Sequence, residues 1–220
     1  TMLDIPAAAT GHRRLSAEAI RDNALKISGL LVATVGGPAV HPPQPRGVVL
    51  RNGLVFEPYI PSLGADVYRR GLYTAWRRSA PPPNAMTFGA SERTACRMTR
   101  SEMNTPLQAL VLLNDDVFSE AALAFAERIL DETPGESDAD RLEFSFFAAL
   151  SRAPDERERE TLLDFLEQRR LQLTASPGEA EALLKQPRRP RRDDLPVTEL
   201  ASWFGVARVL LNLDEVIHRG

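Results

Sequence analysis

The chain has 220 residues, 43% hydrophobic and 26% charged, enough for one well-buried domain with or without a smaller appendage. Its net charge of −3 gives no global reason to bind nucleic acid or an acidic membrane, and no apolar run approaches the roughly 20 residues that span a bilayer. The single cysteine, Cys96, excludes an internal disulfide and a Cys-rich metal site, and the 17 prolines cluster at 36–45, 80–84 and 186–196.

Residues 1–14 read as an N-terminal tail, without the basic start and apolar core of a secretory signal. Residues 15–33 follow an amphipathic helical period, with Ile20, Ala24, Ile27 and Leu31 on one face. Ser16 suits the N-cap, and Gly36-Gly37-Pro38 supplies a stop. The Pro-rich insertion at 36–63 has no helical period. Within it, Asn52-Gly53 lies between two short β-branched or aromatic runs and suits the tight turn of a small β-hairpin over 47–60.

Residues 65–78 are predicted to be helical, with a strand as the alternative that their short alternation allows, and 81–98 irregular. "NTPLQALVLLN" (104–114) then opens with the capping-box pair Thr105 and Gln108 around Pro106 at the first helical position. Because 107–114 is apolar on nearly every side, this helix is expected at the centre of the fold. Asp115 caps the next predicted helix, 116–130, whose inward face is Phe118, Ala122, Phe125 and Ile129. Further helices are predicted at 141–152, at 156–173 under an Asp155 cap, and at 198–217 with Leu200, Phe204, Ala207 and Leu211 inward. The expected fold is mainly α: a helical domain over 15–173 carrying the Pro-rich insertion and the small hairpin. A flexible linker at 174–196 and a C-terminal helix within 197–220, packing back on the domain, complete it.

Five phrases in order carry a family resemblance: "RRLSAEAIRDNALKISGLL" (13–31), "GGPAVHPPQP" (36–45), "VYRRGLYTAWRRSAPPPNAMTF" (67–88), "NTPLQALVLLND" (104–115) and "ELASWFGVARVLLNLDEVI" (199–217). Together they resemble the planctomycete cytochrome-associated domain of unknown function fifteen fifty-three, also called planctomycete domain PSD-one. The resemblance implies a C-terminal portion of a large exported, extracytoplasmic protein, with companion domains as partners and any c-type haem in a separate upstream module. It supplies no activity to carry over. No cofactor is expected in this chain, which lacks a Cys-x-x-Cys-His sequence. The chain departs from the family at Gly89, where an Asp is expected, and at Glu102 and Met103 ahead of "NTPLQ".

The strongest chemical signal lies in 64–104, where seven arginines (Arg69, Arg70, Arg77, Arg78, Arg93, Arg97, Arg100) outnumber three acids (Asp66, Glu92, Glu102). Tyr68, Tyr73 and Trp76 are interleaved with them. Guanidinium forks suit carboxylate, sulfate or phosphate, and aromatic faces suit stacking. On a helix Arg70 and Arg77 would share a face. The candidate ligand-binding residues are therefore Arg69, Arg70, Tyr73, Trp76, Arg77, Arg97, Arg100 and Asn104. Against them stands the plainer reading of a solvated helix face with internal salt bridges.

No catalytic residue and no metal ligand is assigned. His12, His41 and His218 have no ligand spacing, and Cys96 reads as a packed, inert thiol despite Arg93, Arg97 and Arg100 nearby. "RRPRR" (188–192) reads as part of the linker. Acids crowd 114–167 and read as helix N-terminal and surface charge. The leading functional expectation is a non-catalytic helical module that docks companion or cytochrome domains or binds a surface glycan, with an anionic glycan among the candidate partners. The alternative is part of a hydrolase or oxidoreductase acting on polysaccharide, its site completed by upstream residues. A nucleic-acid interface on the Arg-aromatic stretch is a third and weaker reading.

Overall fold

The computed structural model describes residues 13–44, 59–77, 81–91, 104–133 and 135–219. The chain is mainly α, and its centre is a pair of helices, α4 (Asp116–Glu132) and α8 (Val197–Leu211). The α4 helix starts where Asp115 accepts the Val117 N–H at 3.1 Å, an N-cap that satisfies one orphan donor of the first turn. Its Ala121, Ala122, Ala124 and Ala126 are buried beside Phe118, Leu123, Phe125 and Ile129, and these small residues let neighbouring backbones come close. The facing helix α8 buries Leu200, Trp203, Phe204, Ala207 and Leu210. Each large side chain fully withdrawn from water here stabilises the fold by about 1.5–3 kcal/mol.

Around this pair pack α1 (Ala17–Ile27), α5 (Asp138–Leu150), α6 (Glu156–Ala175) and α7 (Pro177–Leu184). Short α2 (Pro83–Thr87) and α3 (Pro106–Asn114) lie on the α1 and α4 side, and α9 (Asp214–Ile217) follows α8. Arg13–Arg14 (β1) pairs antiparallel with His218–Arg219 (β2), in the register Arg13 to Arg219 and Arg14 to His218. The Asn23 amide adds a bond to the Val216 carbonyl at 2.8 Å. The two ends of the described chain are thereby joined on one side of α1. Among the described residues no helix is long and apolar enough to cross a membrane.

Several elements differ from the sequence reading. Helix α1 ends at Ile27 rather than near residue 33, because Gly29 takes a left-handed φ of +78° and breaks the ladder earlier than the Gly36-Gly37-Pro38 stop. The helix expected over 65–78 does not form among the described residues of that range, 65–77. In its place two single 3-10 turns, Gly64–Tyr68 and Gly71–Tyr73, are separated by extended backbone. That backbone is engaged elsewhere: Val32 N–H bonds the Tyr68 carbonyl, and Val40 exchanges bonds with Tyr73 and Ala75. Gly71 also lies so close to Glu18 that a Cβ there would sit 3.0 Å from its backbone. Tertiary hydrogen bonding has overridden helical propensity. In 81–98, α2 forms where irregular chain was expected. Arg13 and Arg14, read as tail, form a strand. The hairpin turn at Asn52-Gly53 lies outside the described residues.

Helix α3 is the largest correction. It was expected at the centre, yet only Gln108 and Leu112 are buried, while Leu107 and Leu110 are 58% and 54% exposed. A helix apolar all round has no preferred inward side, so its position is decided by what it packs against rather than by its own pattern. The central place belongs to α4, which the sequence marks with acids on one face.

Those acids have a specific role. Asp116, Glu127 and Asp131 receive Arg188, Arg189 and Arg192 of "RRPRR", with Arg188 to Asp116 at 3.7 Å and Arg192 to Asp131 at 2.9 Å. Glu127, buried at 4% exposure, also accepts the Arg192 N–H at 2.8 Å. The segment read as a flexible linker thus carries helix α7 and a basic strap bonded to α4. Its arginines are paired with acids of the same domain.

Candidate functional site

The sequence-predicted arginines and aromatics separate into four places. Arg69, 4% exposed, donates to the carbonyls of Pro38 at 2.9 Å, Thr34 at 3.4 Å and Gly36, and its guanidinium stacks 4.1 Å from the Tyr73 ring. The Tyr73 hydroxyl in turn accepts the Gly36 N–H at 2.8 Å. This pair clamps the Gly36-Gly37 turn. Arg70 points away, half exposed, and pairs with Asp22 at 3.1 Å. Asn104 accepts from the buried Arg14 at 3.3 Å, and Arg14 also donates to Gln108 at 3.1 Å, tying β1 to the start of α3. Trp76 lines a cleft, and Arg77 lies beside it over the ring of Tyr59. Arg97 and Arg100, like Cys96, lie outside the described residues.

The cleft is formed by the N-terminal half of α1, the Pro42-Pro43-Gln44 stretch, residues 59 and 71–76, and α2. Its walls are apolar and aromatic, from Pro42, Pro43, Tyr59, Trp76, Pro82, Phe88 and Phe118, with Glu18, Arg21, Thr74 and Asn84 as polar lining. About 40 Å³ is open to a water-sized sphere. Concave, mostly apolar walls with a few polar groups are the usual character of a ligand site.

Arg21 is the unusual member. It is 8% exposed, and its hydrogen bond runs from Nη2 to the Val67 carbonyl at 2.6 Å, leaving Nε buried without a partner. Burial pulls its pKa below the ordinary arginine value, against the opposing fields of Asp115, Asp22 and Glu120. Those acids are bonded elsewhere. Asp22 accepts Gly71 N–H at 2.6 Å, and Asp115 accepts Asn84 at 3.2 Å. Burial raises the Asp115 carboxyl, and burial raises Glu120, which bonds Tyr68. At Tyr59 burial outweighs the nearby Arg77 and Arg21 charges and pushes the phenol up to about 12, so it stays protonated and donates to the Pro42 carbonyl at 2.6 Å. Arg77 lies 5.7 Å from the Tyr59 ring centre, and His41 meets that ring edge-on at 5.4 Å.

Arg21, Tyr59, Thr74, Asn84 and Phe88 were not among the predicted site residues. For Arg21 a signal existed. It lies four residues from both Ala17 and Leu25, inside the buried face of α1, where an unpaired charge is out of place. Tyr59, Thr74 and Asn84 carry no such mark, since they meet only through the irregular segments.

A mainly α domain with one aromatic and arginine-lined cleft is what the chain presents among its described residues. It belongs to the family described as PSD1, Protein of unknown function (DUF1553), whose model matches residues 7–166. No curated protein and no solved structure matches the chain. Every cleft residue falls within the matched range, whereas α7, α8, α9 and the phrase 199–217 lie beyond it.

Proposed function

We propose that the chain is a non-catalytic recognition module of a larger exported protein, and that its cleft binds a surface glycan. The observation that carries this reading is the concave arrangement of Tyr59, Trp76 and Phe88 with proline walls and a few polar groups, on a rigid α1–α4 support. Flat aromatic and proline faces suit the apolar faces of sugar rings, and the polar groups suit substituents. The other arginines of the Arg-aromatic stretch within the described residues are engaged inside the domain, as Arg69 and Arg70 show. The exported setting and the companion or cytochrome domains rest on family resemblance and belong to the same proposal.

A thermal-shift and calorimetric screen of the purified chain against neutral and acidic oligosaccharides, at physiological salt, tests it. Binding that weakens about tenfold or more in Trp76→Ala is the expected outcome, given what loss of a stacking aromatic costs. Unchanged affinity in a folded Trp76→Ala protein overturns the cleft as the site.

A further inference from the structure

We propose that the inner end of this cleft is a carboxylate subsite centred on Arg21, so that the ligand presents a carboxylate, either free or carried on a uronate sugar. The inference rests on the glycan reading above and narrows it to a chemical class.

A guanidinium carries five donors in a planar fork and no acceptor. Arg21, 8% exposed, uses one of them on the Val67 carbonyl at 2.6 Å, and its Nε has no partner. Among the described residues no carboxylate lies within ion-pair distance of it. The nearby acids are bound to other groups: Asp22 to Gly71 and Arg70, Asp115 to Asn84 and Val117, Glu120 to Tyr68. Glu18, on the cleft wall, is also engaged. A buried charge left in this state is costly unless something completes its shell. A second donor is present in the same lining, because the Thr74 hydroxyl is buried and unbonded.

A planar carboxylate matches the guanidinium fork edge to edge, and a sugar ring suits the flat aromatic and proline walls beside it. Arg77, stacked on Tyr59, adds positive charge beside the same cleft. The ligand is thereby divided into a carboxylate at Arg21 and a ring against the aromatic and proline walls.

Isothermal titration of the full chain with glucuronate, a glucuronate-containing oligosaccharide, glucose, a neutral oligosaccharide and glucose 6-sulfate tests this. Arg21→Gln and Thr74→Val are the variants. We expect the two uronate ligands to bind at least about tenfold more tightly than their neutral counterparts, with that advantage lost in Arg21→Gln and reduced in Thr74→Val. Oligosaccharide binding tighter than free glucuronate assigns the carboxylate to a polymer, and equal binding assigns it to a free acid. Equal affinity for neutral and acidic sugars, or for sulfate and carboxylate, overturns the subsite while leaving the glycan reading intact. Binding of none of the sugars overturns both. Should Arg21→Gln fail to fold, Thr74→Val decides, and an unchanged uronate affinity there overturns the proposal.

Discussion

Arg21 and Arg69 are both buried arginines, at 8% and 4% exposure, yet the two regions that hold them are built differently. Around Arg69 three backbone carbonyls and the face of Tyr73 surround the guanidinium, and the Tyr73 hydroxyl holds the same turn through the Gly36 N–H. Around Arg21 a single carbonyl is bonded, and the side chain lines the cleft near acids that are bonded to other groups. Burial alone therefore does not separate a structural arginine from one suited to binding. Each also leaves its Nε unbonded, so the distinction lies in the terminal nitrogens. A guanidinium whose terminal nitrogens are both bonded fixes its own loop; one with a terminal nitrogen left over is poised for something outside the chain.

The largest effect is expected at the clamp. Arg69→Met strands the carbonyls of Thr34, Gly36 and Pro38 and removes the stacking partner of Tyr73, so urea denaturation should show a loss of about 3 kcal/mol or more. A loss well under 1 kcal/mol would mean that the turn is held by other means. Tyr73→Phe sharpens the same region. It keeps the ring under Arg69 but deletes the acceptor for Gly36 N–H, and it should cost about 1 kcal/mol in the same assay.

The smallest change in stability is expected at the cleft. Arg21→Met gives up one hydrogen bond but also removes a buried, unpaired charge, so its unfolding free energy should stay within about 1 kcal/mol of the wild type. Its preference for uronate over neutral sugars should nevertheless be lost. Should Arg21→Met unfold as readily as Arg69→Met, the contrast between the two regions collapses and Arg21 is structural as well.

Much of the helical framework was legible along the chain. The α4, α6 and α8 periods and the Asp115, Asp155 and Ser16 caps are local signals, and a local signal survives whatever the neighbours do. Residues 65–78 were not legible, because their backbone bonds run to Val32 and Val40, more than thirty positions away. The candidate site was legible in composition but not in membership. Arginine and aromatic enrichment marked a stretch of which Trp76 lines the cleft and Arg77 lies beside it over Tyr59, whereas Arg69 and Tyr73 turned inward to a loop. The acidic face of α4 and the basic "RRPRR" run were both visible, and their pairing was not, since nothing in either segment names the other.

By itself the amino-acid sequence determined the helical class, most of the helix starts, the buried faces of α4 and α8, and the family. These follow from short-range spacing, capping chemistry and ordered phrases, all of which are written within a few residues of one another. Only the tertiary structure decided that α3 lies at the surface, that the linker is strapped to α4, and that Arg21 stands with unused donors in a cleft. The physical reason is common to all three. Whether a side chain is buried, paired or left over depends on which distant groups arrive beside it, and that is a property of packing rather than of order along the chain.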